Sequence, residues 1–302
     1  MNRFRGSLLG LAVGDAVGTT VEFSPPGSFP PVTDMVGGGP FELPVGAWTD
    51  DTSMALCLAE SVLETAGFDP VDQLQRYVRW WREGHWSSTG TCFDIGRATR
   101  QALQRFRKTG EPFPGDAARD AAGNGPLMKL APIPMAWAHD LDTAVRFAGD
   151  SARTTHGAPE AVDATRHFAL LLVEALNGAA KEDVLRRREL PDLHPKVAAV
   201  AAGSFLDKAP PEIRGNGYIV LALEAALWAV ASTDDYESCV LAAVNLGDDA
   251  DTTAAIAGQL AGALYGLEGI PARWLERVHL RDELLGFADR LQALRPLPSS
   301  TL

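Results

Sequence analysis

Between Asn245 and Thr253 the chain reads Asn-Leu-Gly-Asp-Asp-Ala-Asp-Thr-Thr and runs on into the small-residue helix pattern Ala254-Ala255-Ile256-Ala257-Gly258. A helix N-terminus has unpaired backbone N–H groups and a partial positive charge, so one Asp or Thr there is ordinary capping. Asp248, Asp249 and Asp251 together exceed what a cap needs. Like charges this close repel unless a cation lies among them, and hard divalent metals take carboxylate and hydroxyl oxygens. Taken alone, the stretch reads equally well as a metal site or as an over-decorated cap. A second cluster shifts the balance. Trp48-Thr49-Asp50-Asp51-Thr52 also precedes a helix pattern, with Met54, Leu58 and Val62 on one face. Where the two starts meet, Thr49, Asp50, Asp51, Asp249, Asp251 and Thr252 supply carboxylates and hydroxyls alone. That set suits an all-oxygen, two-ion site for Mg²⁺, with Mn²⁺ able to substitute, and not for zinc.

The elements that must position these residues read as helices. Arg5 to Val17 carries Gly6, Gly10, Gly14 and Gly18 along one face. Glycine at every turn lowers helix propensity, which makes sense where another backbone or a ligand must come close. The helix after Thr253 repeats the device at Gly258, Gly262 and Gly266, which places it centrally. Apolar residues recur at helical spacing over 71–83, 95–107 and 161–177, and Tyr218 to Ala231 is apolar nearly all round, as buried helices are. Strand signals are almost absent. Proline and glycine between Phe23 and Trp48 mark a long irregular loop, suited to a mobile cover over a site. Gly123-Asn124-Gly125 either lets backbone N–H groups approach a phosphate or simply turns the chain. The stretch from Pro271 on predicts two short helices and a Pro/Ser-rich tail over 296–302. The expected architecture is a single all-α domain over 1–302, compact and orthogonally packed, with the metal site at helix N-termini.

A formal charge of −12 argues against a nucleic-acid footprint, because such proteins present a basic face. An anionic ligand must then be held locally. Cys57, Cys92 and Cys239 are too scattered for a disulfide framework or a zinc site, so a reducing, cytoplasmic setting and a monomer are expected. Arg3 and Arg5 before Leu8-Leu9-Gly10-Leu11-Ala12-Val13 superficially imitate a signal peptide, but Asp15 interrupts the run and favours a buried first helix. No apolar run approaches the roughly 20 residues a membrane span needs.

Several further stretches carry a resemblance. Gly6 to Gly18 leads to Glu22; then come the Trp48–Thr52 cluster, Gly90-Thr91-Cys92-Phe93-Asp94-Ile95-Gly96 and Gly123 to Met128. Thr155-His156-Gly157, Gly217-Tyr218 before Glu224 to Trp228, and the closing acidic cluster complete the series. In this order they resemble the ADP-ribosylglycohydrolases, over most of the chain. The resemblance implies an all-α fold and hydrolysis of the glycosidic bond between ADP-ribose and an acceptor, using two Mg²⁺ ions. The acceptor would be an arginine or serine of a protein, or the acetyl group of O-acetyl-ADP-ribose. Glu22, with Asp50 and Asp249, would do the catalytic work. Gly123, Asn124, Gly125, His156 and Tyr218 would hold the substrate. Two departures stand out: Asp248 where many members carry glycine, and Lys129 where arginine is common, which loses a bidentate fork for phosphate. Two rival readings are a two-metal phosphohydrolase and a non-catalytic ADP-ribose-binding or structural member.

Overall fold

Glycines at four-residue spacing on two apolar helices let backbones touch, and this contact builds the fold. In the computed structural model, which describes residues 2–294, helix α1 (Arg3–Gly18) lies along the central helix that follows the second acidic cluster. A Cβ built on Gly6 would lie 2.2 Å from the Gly262 carbonyl oxygen, and one on Gly10 2.3 Å from that of Gly258. Gly14 meets Ala254 in the same way, and Gly18 meets the Cα of Asp251. The seam therefore fixes where Asp251 stands.

The remaining helices are α2 (Asp50–Thr65), α3 (Pro70–Glu83), α4 (Arg97–Thr109), α5 (Gly125–Met128), α6 (Pro132–Ala136), α7 (Leu141–Arg153), α8 (Pro159–Leu176) and α9 (Lys181–Val184). After them come α10 (Pro195–Ala201), α11 (Ile219–Ala231), α12 (Tyr236–Val244), the central α13 (Ala250–Tyr265), α14 (Ala272–Leu275) and α15 (Arg281–Ala293). Among the described residues no strand forms, and only three isolated bridges occur. The main core gathers α1, α2, α8, α11 and α13, with side chains such as Leu8, Leu56, Phe168, Leu223 and Ile256 fully buried. A second cluster of Met54, Leu74, Tyr77, Trp80 and Leu103 packs α3 and α4 onto α2. Buried Gln259 of α13 accepts from the N–H of Ala131 at 2.8 Å and donates to the Leu127 carbonyl at 3.0 Å, satisfying groups that the short helices α5 and α6 leave open.

The segment from Glu22 to Thr49 is irregular but tied down. Asn245 pairs with both backbone groups of Val32, Asp34 accepts from Trp274 and Arg273, and the His279 N–H donates to the Gly46 carbonyl. Val32, Met35, Leu43, Ala47 and Trp48 are buried. These bonds and buried side chains hold the segment toward α12 and α14, while at its start the Phe23 N–H donates to the Asp248 carbonyl beside the second acidic cluster and Phe41 packs on Phe23 and Phe93. The region after Pro271 holds α14 and the longer α15, which packs on α1 and α2; the 296–302 tail lies outside the described residues. The three cysteines are unpaired, and among the described residues no helix is long and apolar enough to cross a membrane.

Candidate active site

The two acidic helix starts meet at the end of the α1–α13 seam. Neither is used as a cap on its own helix: Thr49 and Asp249, the N-cap residues of α2 and α13, make no side-chain capping bond. The start of α2 is capped from outside by Asp15 of α1. Its carboxylate accepts from the backbone N–H groups of Thr49 (2.9 Å) and Thr52 (3.0 Å) and from their hydroxyls (2.9 and 2.6 Å). The Asp249 carboxylate instead accepts from Asn124 Nδ2 at 2.7 Å. The side chains of Thr49 and Asp249 are thereby free of capping their own helices.

Every residue of the proposed ligand set reaches one cluster. Thr49 Oγ1 lies 3.2 Å from Asp251 Oδ2, and Thr252 Oγ1 lies 3.3 Å from Asp51 Oδ1, so each hydroxyl reaches across to an acid of the other helix. Two groups of carboxylate oxygens, Asp15–Asp51–Asp251 and Glu22–Asp94–Asp251, each fall within 4.8 Å of one another and share Asp251. Glu22 Oε2, Asp51 Oδ2 and Asp251 Oδ1 are buried and have no hydrogen-bond partner. Buried acceptors without donors are costly, and a cation removes that cost. The donors are all hard oxygens, so the residues fit Mg²⁺ or Mn²⁺.

The electrostatics agree. Burial, and then the neighbouring acids, push Asp50, Asp51 and Asp251 well above the usual carboxylate range. Glu22 is pushed up to about 12 by burial and by Asp251, Asp94, Asp249 and Asp51, and Asp94 to about 7, chiefly by burial. Asp15 rises only to about 6, because its four hydrogen bonds oppose the effect of burial. Asp15 and Asp94 are site residues that the sequence pattern did not single out. Asp15 is the one charge in an otherwise apolar, small-residue run, and Asp94 sits at φ +55° in the 90–96 stretch.

A cavity of about 280 Å³ opens above the cluster, lined by Glu22, Asp50, Asp94, Asn124, Asp249 and Thr252 among others. Glu22 is held there by backbone pairing of its neighbours with the acidic loop: the Phe23 N–H donates to the Asp248 carbonyl at 2.7 Å and the Asp248 N–H to that of Ser24 at 2.8 Å. Asp248 adopts φ +54°, a left-handed conformation that favours glycine, which accounts for the glycine common there in the family. Gly123 and Gly125 also line the cavity, and their lack of side chains serves a neighbour: a Cβ on Gly125 would lie 2.8 Å from the His156 ring. His156 is buried, accepts from or donates to Thr155 Oγ1 at 2.9 Å, and is pushed down to about 3, so it faces the cavity as a neutral ring.

Two residues fall outside the wall. The Tyr218 hydroxyl donates to Glu160 Oε1 at 3.0 Å and accepts from Lys196 at 2.9 Å, while its backbone pairs with Gly123 beside the cavity. Tyr218 thus reaches the site through its main chain and not through its ring. Lys129 is buried below the cavity, bonded to Thr155 Oγ1 at 3.2 Å and 5.4 Å from the Tyr77 ring centre. Burial lowers its pKa to about 7 against the pull of Asp50 and Asp51.

A sequence model of the ADP-ribosylglycohydrolase family matches residues 1–300. The chain belongs to the ADP-ribosylglycohydrolase family. It is 45% identical over 291 residues to the ADP-ribosylarginine hydrolase Tri1 of Pseudomonas putida, covering 96% of this chain and 78% of that one. To the ADP-ribosyl-[dinitrogen reductase] glycohydrolase of Rhodospirillum rubrum it is 31% identical, covering 93% and 92%. A solved structure described as an ADP-ribosylglycohydrolase-related protein complex superposes with a TM-score of 0.87 at 51% identity, covering 97% and 98%. As a member of the family, the protein is a hydrolase of ADP-ribose glycosidic bonds, and the all-α fold is the family's.

Proposed function

We propose that this ADP-ribosylglycohydrolase depends on bound Mg²⁺ or Mn²⁺ and releases ADP-ribose from arginine side chains. The observation that carries the metal reading is the set of buried, unpartnered oxygens on Glu22, Asp51 and Asp251 around two carboxylate groups that share Asp251. Asp15, Asp51, Asp251 and Asp94 would hold the ions, with Thr49, Thr252, Asp50 and Asp249 completing the shell, and Glu22 would stand beside them for proton transfer. Bound there, the ions would take ribose hydroxyls as ligands and sharpen the acidity of a nearby water.

The remaining chemistry belongs to the chain. Breaking the bond from the anomeric carbon to nitrogen leaves positive charge on the sugar, and the departing guanidine nitrogen must take up a proton. Glu22, buried on the cavity wall beside these acids, donates that proton. As a carboxylate it then takes a proton from the water whose oxygen bonds to the anomeric carbon. Asp50 and Asp249 face the same space and stabilise the sugar cation. Asn124 holds Asp249 in place, and Gly123 and Gly125 present bare backbone to the diphosphate. Arginine as acceptor rests on the likeness to ADP-ribosylarginine hydrolases.

Release of ADP-ribose from ADP-ribosyl-arginine, ADP-ribosyl-serine and O-acetyl-ADP-ribose, each with Mg²⁺ and with excess chelator, tests the reading. Hydrolysis of the arginine conjugate only with metal is expected. Free phosphate as the product would establish a phosphohydrolase, and turnover under chelation would remove the metal. ADP-ribose should also compete with substrate far better than AMP, which lacks the ribose that meets the acidic cluster.

A further inference from the structure

Helix α4 departs from the charge balance of the rest of the molecule. Acids outnumber bases 39 to 27 in the chain, yet α4 carries Arg97, Arg100, Arg105, Arg107 and Lys108 with no acid. Elsewhere, basic side chains find carboxylates: Arg76 pairs with Glu60 and Asp72, Arg187 with Asp207, and Arg273 with Asp34 and Glu237. Among the described residues Arg97, Arg100, Arg107 and Lys108 have no ion-pair partner within 4.0 Å, and all four are exposed.

Their arrangement is a stripe. Arg97, Arg100, Gln101, Gln104, Arg107 and Lys108 recur at three- and four-residue steps on the outer face, opposite buried Thr99, Ala102 and Leu103. At 1.5 Å per residue the stripe is about 20 Å long. Its first residue, Arg97, lines the active cavity. At its far end Arg107 lies over the Trp81 ring at 5.8 Å, and Arg82 lies over the same ring at 5.3 Å, which carries the basic surface onto α3. Asp116 and Asp120 share a smaller hollow with Arg97 and Gln101, and Glu111 just beyond the helix and Glu83 beside Arg82 are the exposed acids at the far end, where neither forms an ion pair with the stripe.

Arg107 and Lys108 suit the negative end of the helix, but folding alone does not ask for the cations at its start. Arg97 occupies the first position of α4 and Arg100 lies one turn in, where the partial positive charge of the helix end disfavours cations. Acids at those positions would stabilise the helix, and the protein uses them at the starts of α2 and α3. A long-lived surplus of exposed cations leading to a catalytic mouth attracts and orients an anionic surface.

We propose that the outer face of α4, extended by Arg82, is a docking surface for an acidic segment of the polypeptide that carries the ADP-ribosyl group. The proposal rests on the hydrolase reading above and adds to it a preference among protein substrates. The modified side chain enters the cavity past Arg97 while flanking glutamates or aspartates lie along the stripe.

Two synthetic peptides with one ADP-ribosyl-arginine, flanked by glutamates in one and by glutamines in the other, test this, together with free ADP-ribosyl-arginine. The variant Arg100→Glu/Arg107→Glu/Lys108→Glu leaves Arg97 and the cavity untouched; the same three positions changed to Gln serve if the reversal fails to fold. In the parent, kcat/KM should favour the glutamate peptide by about tenfold at low salt. The preference should vanish in the variant and in about 0.5 M salt, with free ADP-ribosyl-arginine turned over equally by both proteins. Fluorescence anisotropy of the unmodified peptides reads docking without turnover. Selective binding in the parent with hydrolysis of nothing would keep the docking surface and overturn the hydrolase reading. No preference in the parent, or a preference that survives in the variant, overturns the docking surface. So does an equal loss on all three substrates, which would make α4 a support for the cavity. Tighter binding of random-sequence duplex DNA than of the glutamate peptide, lost in the variant, would make the stripe a nucleic-acid surface instead.

Discussion

The α1–α13 seam and the acidic cluster at its end follow opposite rules, although the cluster shares those two helices and adds only the start of α2 and the loops of Glu22 and Asp94. Along the seam, glycines put backbone against backbone, Leu8, Leu9 and Ile256 are fully buried, and buried Tyr236 donates its hydroxyl to the Gly10 carbonyl at 2.8 Å. A turn further on, Gly18 presses on the Cα of Asp251, whose Oδ1 has no partner and whose neighbours are acids. Close packing fixes positions and stabilises the fold. The cluster uses that rigidity to hold like charges nearer than they would settle by themselves. The comparison teaches that stability and metal affinity should separate under mutation, because the seam and the cluster are adjoining but distinct sets of residues.

Damage to the seam should give the largest effect. Gly14→Val places a branched side chain where a Cβ alone would stand 2.3 Å from the Ala254 carbonyl oxygen, within a helix that cannot yield. A loss of about 3 kcal/mol or more in denaturant unfolding is expected, whether or not metal is present. A fully stable variant would show that the seam is looser than described.

Next comes Asp251→Asn, which removes one charge shared by both carboxylate groups. Affinity for Mg²⁺, read by calorimetry, should fall on the order of a hundredfold and activity with it. Unfolding of the metal-free protein should stay level or improve by about 1 kcal/mol as repulsion is relieved. Mg²⁺ titrating the variant like the parent would return these acids to the role of caps.

Metal itself should bring a smaller change, confined to stability. Saturating Mg²⁺ at about a hundred times its dissociation constant should raise the parent's unfolding free energy by about 2.7 kcal/mol and that of Asp251→Asn by only about 0.4 kcal/mol. Thermal scans with Mn²⁺, Mg²⁺ and chelator check this, and identical curves for the parent in all three would falsify a cation at the cluster.

Tyr218→Phe should do least. Its hydroxyl is engaged by Glu160 and Lys196, so kcat/KM should change less than about threefold and stability by about 1 kcal/mol. A tenfold rise in KM would bring the ring back into the substrate site.

The sequence by itself determined the helical class, the two acidic starts and the glycine faces, because these rest on local causes. Periodicity marks a buried helix face, crowded acids mark a helix start in need of a partner, and glycine at every turn marks a close approach. Only the tertiary structure decided the membership of the site. Asp15 sits in mid-helix among Leu11, Val13 and Val17, where nothing local distinguishes a remote cap from a misplaced charge. Asp94 enters the cluster from a loop far along the chain, and the Tyr218 hydroxyl is turned to Glu160 and Lys196. Lys129 turns inward to Thr155 for the same kind of reason. The direction of a side chain and the partner that satisfies it are set by residues distant in sequence, and folding alone brings those together.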